Sequence, residues 1–443
     1  MNNTVKVIGA GLAGCEAAWQ LARNGISVTL AEMKPAEYSP AHKYSGFAEL
    51  VCSNSLKALR INSAAGLLKE EMRRLGSLTV KCALENSVPA GGALAVDRKK
   101  FSDAVTESIM NEPNISVVNT RADRIPDGNV IIATGPLTSG SLAEDISRVC
   151  GGYLSFYDAA APIVTADSVD MSKAFLAARY GRGGDDYINC PFTKEEYLAF
   201  HHELVNAESA PLHDIDRPNG EFTVYEGCMP IEVLAKRGED SARYGAMKPV
   251  GLTDPHTGKR PYAVVQLRRE NAEGTMYNIV GFQTNLKFGE QKRVFSMIPG
   301  LESAEFVRYG VMHRNSFINS PALLNGDFSL RKNGNIFFAG QMTGVEGYME
   351  SAASGIMAGI NMSRRIKGLP SVILPRETMI GALSAYISDE TVSVFQPMGA
   401  NMGMLPPPEE KIRGKQERYD FIARRALEKY MGFCAENEIN VTE

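Results

Sequence analysis

Two of the seven cysteines stand where a thiol could attack an electrophile or move a proton. Cys52 lies in "FAELVCSNSLKALR", followed by Ser53, Asn54 and Ser55 and then by Leu56 and Leu59, whose spacing predicts the start of a helix. The positive end of such a helix would lower a thiol pKa. Cys228 lies in "YEGCMPIE", between Gly227 and the pair Met229-Pro230, with Glu226 two residues before it. A free cysteine is more often a small buried residue. That reading is kept for Cys15, inside the first predicted helix, and for Cys82, Cys150, Cys190 and Cys434. No CxxC spacing suggests a metal or redox pair, and the scattered thiols are expected to be reduced, in a cytoplasmic protein.

The element that must position this chemistry opens the chain. "VKVIGAGLAGCEAAWQLARNGISVTLAEMK" predicts a strand over Val5 to Ile8, then a turn through Gly9, Gly11 and Gly14, with Ala10, Leu12 and Ala13 between them, into a helix bearing Ala17, Ala18 and Leu21. Gly9 allows the tight turn, Gly11 admits a pyrophosphate to the backbone, and Gly14 lets helix and strand pack closely. The helix start offers unpaired N–H groups to the phosphates. A second strand over Ile26 to Leu30 leads to Glu32, placed to accept from a ribose hydroxyl.

FAD and NAD share this fingerprint, and two further segments favour FAD. "NVIIATGPLTSG" is an apolar strand ending in Ala133, Thr134 and Gly135, whose glycine could pass close to a cofactor. "GNIFFAGQMTGVEGYMESAASGIMAGI" predicts a buried strand over Ile336 to Ala339, then Gly340 and Gln341. A small-residue helix follows, starting near Glu346, Gly347 and Tyr348, and its amino end could face a flavin. The expected fold is therefore α/β: a glutathione-reductase-type, FAD-binding, Rossmann-like domain built from discontinuous segments, with an inserted α+β substrate lobe.

Composition sets wider bounds. With 44% hydrophobic and 22% charged residues and no apolar run of membrane-spanning length, the chain reads as a soluble globular protein without a membrane partner. A net charge of −4 gives no global attraction to a polyanion, so a nucleic-acid site would have to be a local basic patch. Basic residues gather in "LAKRGEDSARYGAMKP", "TGKRPY", "QLRREN" and the last predicted helix, "EEKIRGKQERYDFIARRALEKYMGF". Such clusters are usually solvated faces, and a subset could contact phosphates.

Several strings carry a resemblance that is far more specific: "VIGAGLAGCEAAWQLA", "ELVCSNSLK", "PAGGALAVDR", "IIATGPLTS", "YEGCMPIE", "FAGQMTGVEGYMESAASG" and "FQPMGANMGMLPP". Nearly end to end, the chain resembles the bacterial folate- and FAD-dependent tRNA (uracil-5-)-methyltransferases, relatives of a larger flavoprotein that modifies the tRNA wobble uridine. The resemblance implies transfer of the methylene group of methylenetetrahydrofolate to C5 of uridine-54 in the T loop of tRNA, with FAD as cofactor and NADH or NADPH as reductant. It maps the family's two functional cysteines onto Cys52 and Cys228. Uracil C5 is a poor nucleophile until a thiolate adds at C6, and a second group must then take the C5 proton. Cys228 is read as the nucleophile and Cys52 as its acid/base partner near the flavin.

For the folate, His313 in "GVMHRNSF" and Tyr348 in "EGYMES" offer aromatic faces, with Arg314 and Asn315 as polar partners for folate or RNA. Residues 1–151 are expected to form the first part of the FAD-binding domain and 152–319 an inserted substrate and RNA lobe. Residues 320–405 are the return segment, and 406–443 a helical tail that packs on the body or on a second subunit, a homodimer being one option. Three other readings compete. A ribosomal RNA uridine would suit the same chemistry. A thiol oxidoreductase pairing Cys52 with Cys228 lacks the usual close-spaced CxxxxC. An RNA-binding flavoprotein without catalysis leaves both thiols unexplained.

Overall fold

The computed structural model describes residues 4–210, 229–392, 395–410 and 412–442, with the backbone alone for 154–158, 313 and 314. The strand Thr4–Ile8 runs parallel to Ser27–Glu32 on one side and to Val130–Ile132 on the other, so that Val7 faces Leu30 and Ile131 across the ladder. Parallel neighbours require a crossover, and helix Leu12–Arg23 supplies the first. Ile115–Asn119 extends the sheet beyond Ser27–Glu32. On the far side Asn333–Phe338 docks beside Val130–Ile132, Phe337 opposite Ile131, and Ser329–Leu330 closes the edge antiparallel. Two hundred residues of chain separate Ile132 from Asn333.

Helix Tyr348–Ile366 lies against Leu12–Arg23, and small residues bring the two backbones together. A Cβ on Gly355 would stand 2.1 Å from the Ala13 carbonyl oxygen. Val5, Val7, Leu21, Ile131, Phe338, Ala352 and Ile356 are fully or almost fully buried in this first core.

The inserted lobe leaves the first domain through Leu154–Ala159 and returns through Met312–Phe317. These two strands pair antiparallel, Leu154 opposite Phe317 and Ala159 opposite Met312. Between them a six-stranded sheet runs in the order Phe175–Leu176, Tyr187–Phe192, Ala263–Arg269, Met276–Ile279, Ile163–Thr165, Phe306–Arg308. The stretches "YAVVQLRRE" and "MYNIVGFQT" supply the third and fourth of these. Helix Lys194–Asn206, closed by a capping box between Thr193 and Glu196, buries Tyr197, Phe200 and Leu204 in a second core with Phe192, Phe282 and Phe295.

One expectation fails. The segment after Cys52 is no helix: Ser55–Ala58 is a strand, pairing antiparallel with Ala93–Val96, which in turn pairs with Ser87–Val88. Lys57 sits at φ 63°, a left-handed conformation that a helix would not contain. The helix comes later, at Ala64–Arg74, capped by Ser63.

The carboxy-terminal helix, Lys415–Glu436, packs on the body. Tyr430 is fully buried, and its hydroxyl donates to the Glu71 carbonyl at 3.1 Å. No helix among the described residues is long and apolar enough to cross a membrane.

Candidate active site

A cleft of ≈ 450 Å³ runs from the glycine turn to the inserted lobe. The first domain lines it with Gly9 to Ala13, Glu32, Cys52, Thr134, Gly135, Gly340, Gln341 and Glu346 to Tyr348. The inserted lobe and the strands leading to it add Ala160, Gln283, Arg308 and Asn315.

At the turn, Gly9 has φ 96°, and a Cβ there would lie 2.6 Å from the Ala133 carbonyl oxygen. A Cβ on Gly14 would lie 1.8 Å from the Gly9 oxygen, whereas one on Gly11 would meet nothing within 4 Å and would project into open space. Gly14 thus packs helix on turn, and Gly11 leaves room for a ligand. Gly135, at φ 74°, likewise has nothing near its missing side chain. Glu32 does more than its sequence position suggested: its buried carboxylate accepts from the Ala10 N–H at 2.7 Å and the Lys34 N–H at 3.0 Å. It fastens the turn and keeps further lone pairs for a ribose hydroxyl.

Sequence reasoning missed the residues beyond this end. His42 lines the cleft with its Nδ1 2.6 Å from the Ser39 hydroxyl, and burial lowers its pKa. Lys34 is buried beneath and donates to the Tyr44 carbonyl at 3.1 Å. Neither belongs to a motif with a readable spacing. At the other side Gly340, at φ 82°, leads to Gln341, whose amide donates to the Glu346 carboxylate at 2.7 and 2.8 Å. Gly347 then caps helix Tyr348–Ile366, so the amino end of that helix faces the cleft.

Cys52 is half-buried on the loop before Ser55–Ala58. Its Sγ lies 2.9 Å from the Tyr348 hydroxyl oxygen, and that oxygen also accepts the backbone N–H of Cys52 at 2.8 Å and of Ser53 at 3.3 Å. Tyr348, expected as a stacking face for folate, therefore has its hydroxyl committed to the Cys52 loop while its ring lines the cleft. Burial, then the neighbouring Cys52, pushes the Tyr348 pKa far above the usual phenol value.

With no helix start at Cys52, the charge around it comes from arginines. Arg98 donates to the Leu50 and Val51 carbonyls, and Arg308 donates to the Val51 carbonyl. Arg268 donates to the Ser53 hydroxyl at 2.9 Å and to Asn54 Oδ1 at 3.0 Å. Arg268 belongs to "QLRREN", read in the sequence as a surface cluster, yet it is 6% exposed. The buried Glu270 pairs with Arg98. Further along, Lys57 pairs with Glu350 at 3.0 Å, and Glu350 also accepts from the Ala400 N–H at 3.0 Å.

Cys228 lies outside the described residues, as does the side chain of His313, whose backbone pairs with Asp158. Asn315 is buried and lines the cleft. Burial raises the pKa of Cys82 and Cys434 to about 11 and of Cys150 to about 12, and raises those of Cys15 and Cys190, as suits packed, unreactive thiols.

A doubly wound parallel sheet with a glycine turn, a return strand and helix at the cleft, and an inserted lobe over it define a dinucleotide-binding enzyme fold of the glutathione reductase class. The solved structure of GidA from Aquifex aeolicus shares it, at a TM-score of 0.70 over 97% of this chain and 73% of that one, with 17% identity. Residues 4–370 match the family model "Glucose inhibited division protein A". The methylenetetrahydrofolate–tRNA-(uracil-5-)-methyltransferase TrmFO of Acetivibrio thermocellus is 61% identical, covering 96% of this chain and 98% of its own. That of Heliobacterium modesticaldum is 56% identical, covering 98% and 99%. The chain belongs to this methyltransferase family, within the wider glucose-inhibited division protein A family.

Proposed function

We propose that the chain is an FAD-dependent methyltransferase that carries the one-carbon unit of methylenetetrahydrofolate to C5 of a tRNA uridine, uridine-54 of the T loop, with NADH or NADPH as the external reductant. The observation that carries this reading is the half-buried Cys52 thiol, tied to Tyr348, in the same cleft as the glycine turn. The names of relatives more than half identical over nearly the whole chain support it. The open space at Gly11 and Gly135, the amino ends of two helices and the Glu32 carboxylate fit FAD, which Gly9 to Gly14, Glu32, Thr134, Gly135, Gly340, Gln341, Glu346 and Gly347 would hold. When bound, FAD supplies the hydride that turns a methylene into a methyl group.

In this reading the chain's own residues handle the uracil. Cys228 Sγ adds to C6, which makes C5 nucleophilic toward the folate methylene carbon; Cys52 takes the C5 proton so that the carbon–nitrogen bond to folate can break, and once the freed methylene has accepted a hydride the Cys228 bond breaks again. His313 and Tyr348 hold the pterin. The uridine has to leave its stack to reach the cleft, so T-loop unstacking is part of the binding step.

The test uses 5-fluorouridine tRNA with methylenetetrahydrofolate and NADPH, because fluorine at C5 blocks proton loss and traps the thiol adduct. A covalent protein–RNA band in wild type and in Cys52→Ala, absent in Cys228→Ala, is the expected result. Loss in Cys52→Ala alone would exchange the two roles, and no band in any protein would refute uracil chemistry.

A further inference from the structure

The Tyr348 hydroxyl has one proton and two lone pairs. Both lone pairs are directed at backbone donors, the Cys52 N–H at 2.8 Å and the Ser53 N–H at 3.3 Å. Its proton is therefore left for the remaining neighbour, Cys52 Sγ at 2.9 Å. Sulfur that accepts this hydrogen bond is favoured as thiolate, the form that removes a proton or attacks carbon. Burial and the adjacent Cys52 raise the Tyr348 pKa, so the phenol keeps its proton.

The charged side chains on the packed elements point the same way. Helix Arg98–Met110 contributes Arg98, strand Phe306–Arg308 contributes Arg308, and strand Ala263–Arg269 with the residue after it contributes Arg268 and Glu270. Strand Tyr187–Phe192 brings Tyr187 near Arg268, and Lys57 and Glu350 neutralise each other at 3.0 Å. Three guanidinium groups thus face one buried carboxylate, leaving an excess of positive charge around the loop among the described side chains. Both Arg268 and Arg308 interact electrostatically with Cys52.

We propose that Tyr348 is a positioning residue that holds Cys52 as a thiolate near neutral pH, by donating its only proton to Sγ inside a cage formed by Arg98, Arg268 and Arg308. The thiol proton leaves to water, and Tyr348 keeps its own. This deepens the acid/base role given to Cys52, but it needs neither RNA nor folate, so its failure and that of the uracil reading are separable.

The experiment is the pH profile of Cys52 alkylation by iodoacetamide in the full-length, flavin-loaded protein, read on the Cys52 peptide by mass spectrometry. Wild type should react with a midpoint below the ordinary thiol value of about 8.5. Tyr348→Phe, which keeps the ring and removes the hydroxyl, should raise the midpoint by about one unit or more and slow alkylation at pH 7 roughly tenfold. Arg308→Gln should move it in the same direction by a smaller amount, and it decides the matter if Tyr348→Phe fails to fold. A wild-type midpoint at or above 8.5 on that ordinary scale, or a midpoint unmoved by either folded variant, overturns the proposal. A structural role for Tyr348 would change the melting temperature without shifting this midpoint.

Discussion

Alanine at Gly11 and at Gly14 should separate cofactor binding from folding. Gly11 has φ −73° and ψ −175°, a conformation open to any residue, and its Cβ would touch no protein atom within 4 Å. Gly11→Ala should therefore leave the apoprotein as stable as wild type. The new methyl group occupies the space through which a pyrophosphate reaches the helix start, and overpacking there of about 1–3 kcal/mol should weaken FAD binding roughly 5- to 150-fold. Gly14 differs. Its Cβ would stand 1.8 Å from the Gly9 oxygen, well inside the 3.0 Å that real contacts respect, so helix and turn must part by more than an ångström. The helix-propensity gain of about 1 kcal/mol is outweighed by overpacking against backbone, which costs about 1–3 kcal/mol or more. Gly14→Ala should lose both flavin and stability. The assay is absorbance at the flavin band per mole of purified protein, fluorescence titration of the apoprotein with FAD, and thermal melts with and without FAD. Wild-type FAD affinity in Gly11→Ala, or an unchanged melt in Gly14→Ala, would refute this account of the turn.

Other perturbations follow from the same geometry. Glu32→Gln puts an amide donor where one of two backbone N–H groups now finds an oxygen, and should weaken FAD at least tenfold by titration, as loss of a charge-assisted hydrogen bond of about 1.5–3 kcal/mol requires. Lys69 is buried, its pKa lowered to about 8, mainly by burial, with its Nζ donating to the Leu56 carbonyl at 2.6 Å. Because its folded pKa lies below the unfolded one, its charge costs stability below pH 8, roughly 3 kcal/mol in all, and stability recovers as pH rises from about 8 toward 10.4. Lys69→Met forfeits a hydrogen bond of about 1 kcal/mol and should raise the melting temperature at pH 7 but not at pH 10; equal effects at both would contradict the buried charge. Tyr430→Phe removes a buried donor to the Glu71 carbonyl and should cost about 1 kcal/mol in denaturant unfolding, a loss that an exposed tail would not show.

What the sequence revealed was what short-range chemistry encodes. The glycine turn, the acid at Glu32 and the late strand-Gly-helix are each set by residues close in the chain. The stretch after Cys52 was misread because Leu56 and Leu59 have helical spacing, whereas its pairing partner, Ala93–Val96, lies far along the chain. The arginine cage was invisible for the same reason. Arg98, Arg268 and Arg308 come from three separate segments, and only the tertiary fold turns a surface-like "LRRE" into a buried support for a loop. The commitment of the Tyr348 hydroxyl was equally illegible, since 296 positions separate it from Cys52.

The order of the first sheet also bears on how the protein is made. Val130–Ile132 takes Asn333–Phe338 as its outer neighbour, yet 200 residues intervene. At roughly 5–20 residues per second, a ribosome needs on the order of 10–40 s to deliver that neighbour. Throughout the interval the edge of Val130–Ile132 has no partner, and the inserted lobe, whose antiparallel ladders are all internal to it, can complete its own core first. The nascent chain thus carries an open sheet edge of the kind chaperones protect, and the cofactor cleft closes only when Gly340 and helix Tyr348–Ile366 have emerged.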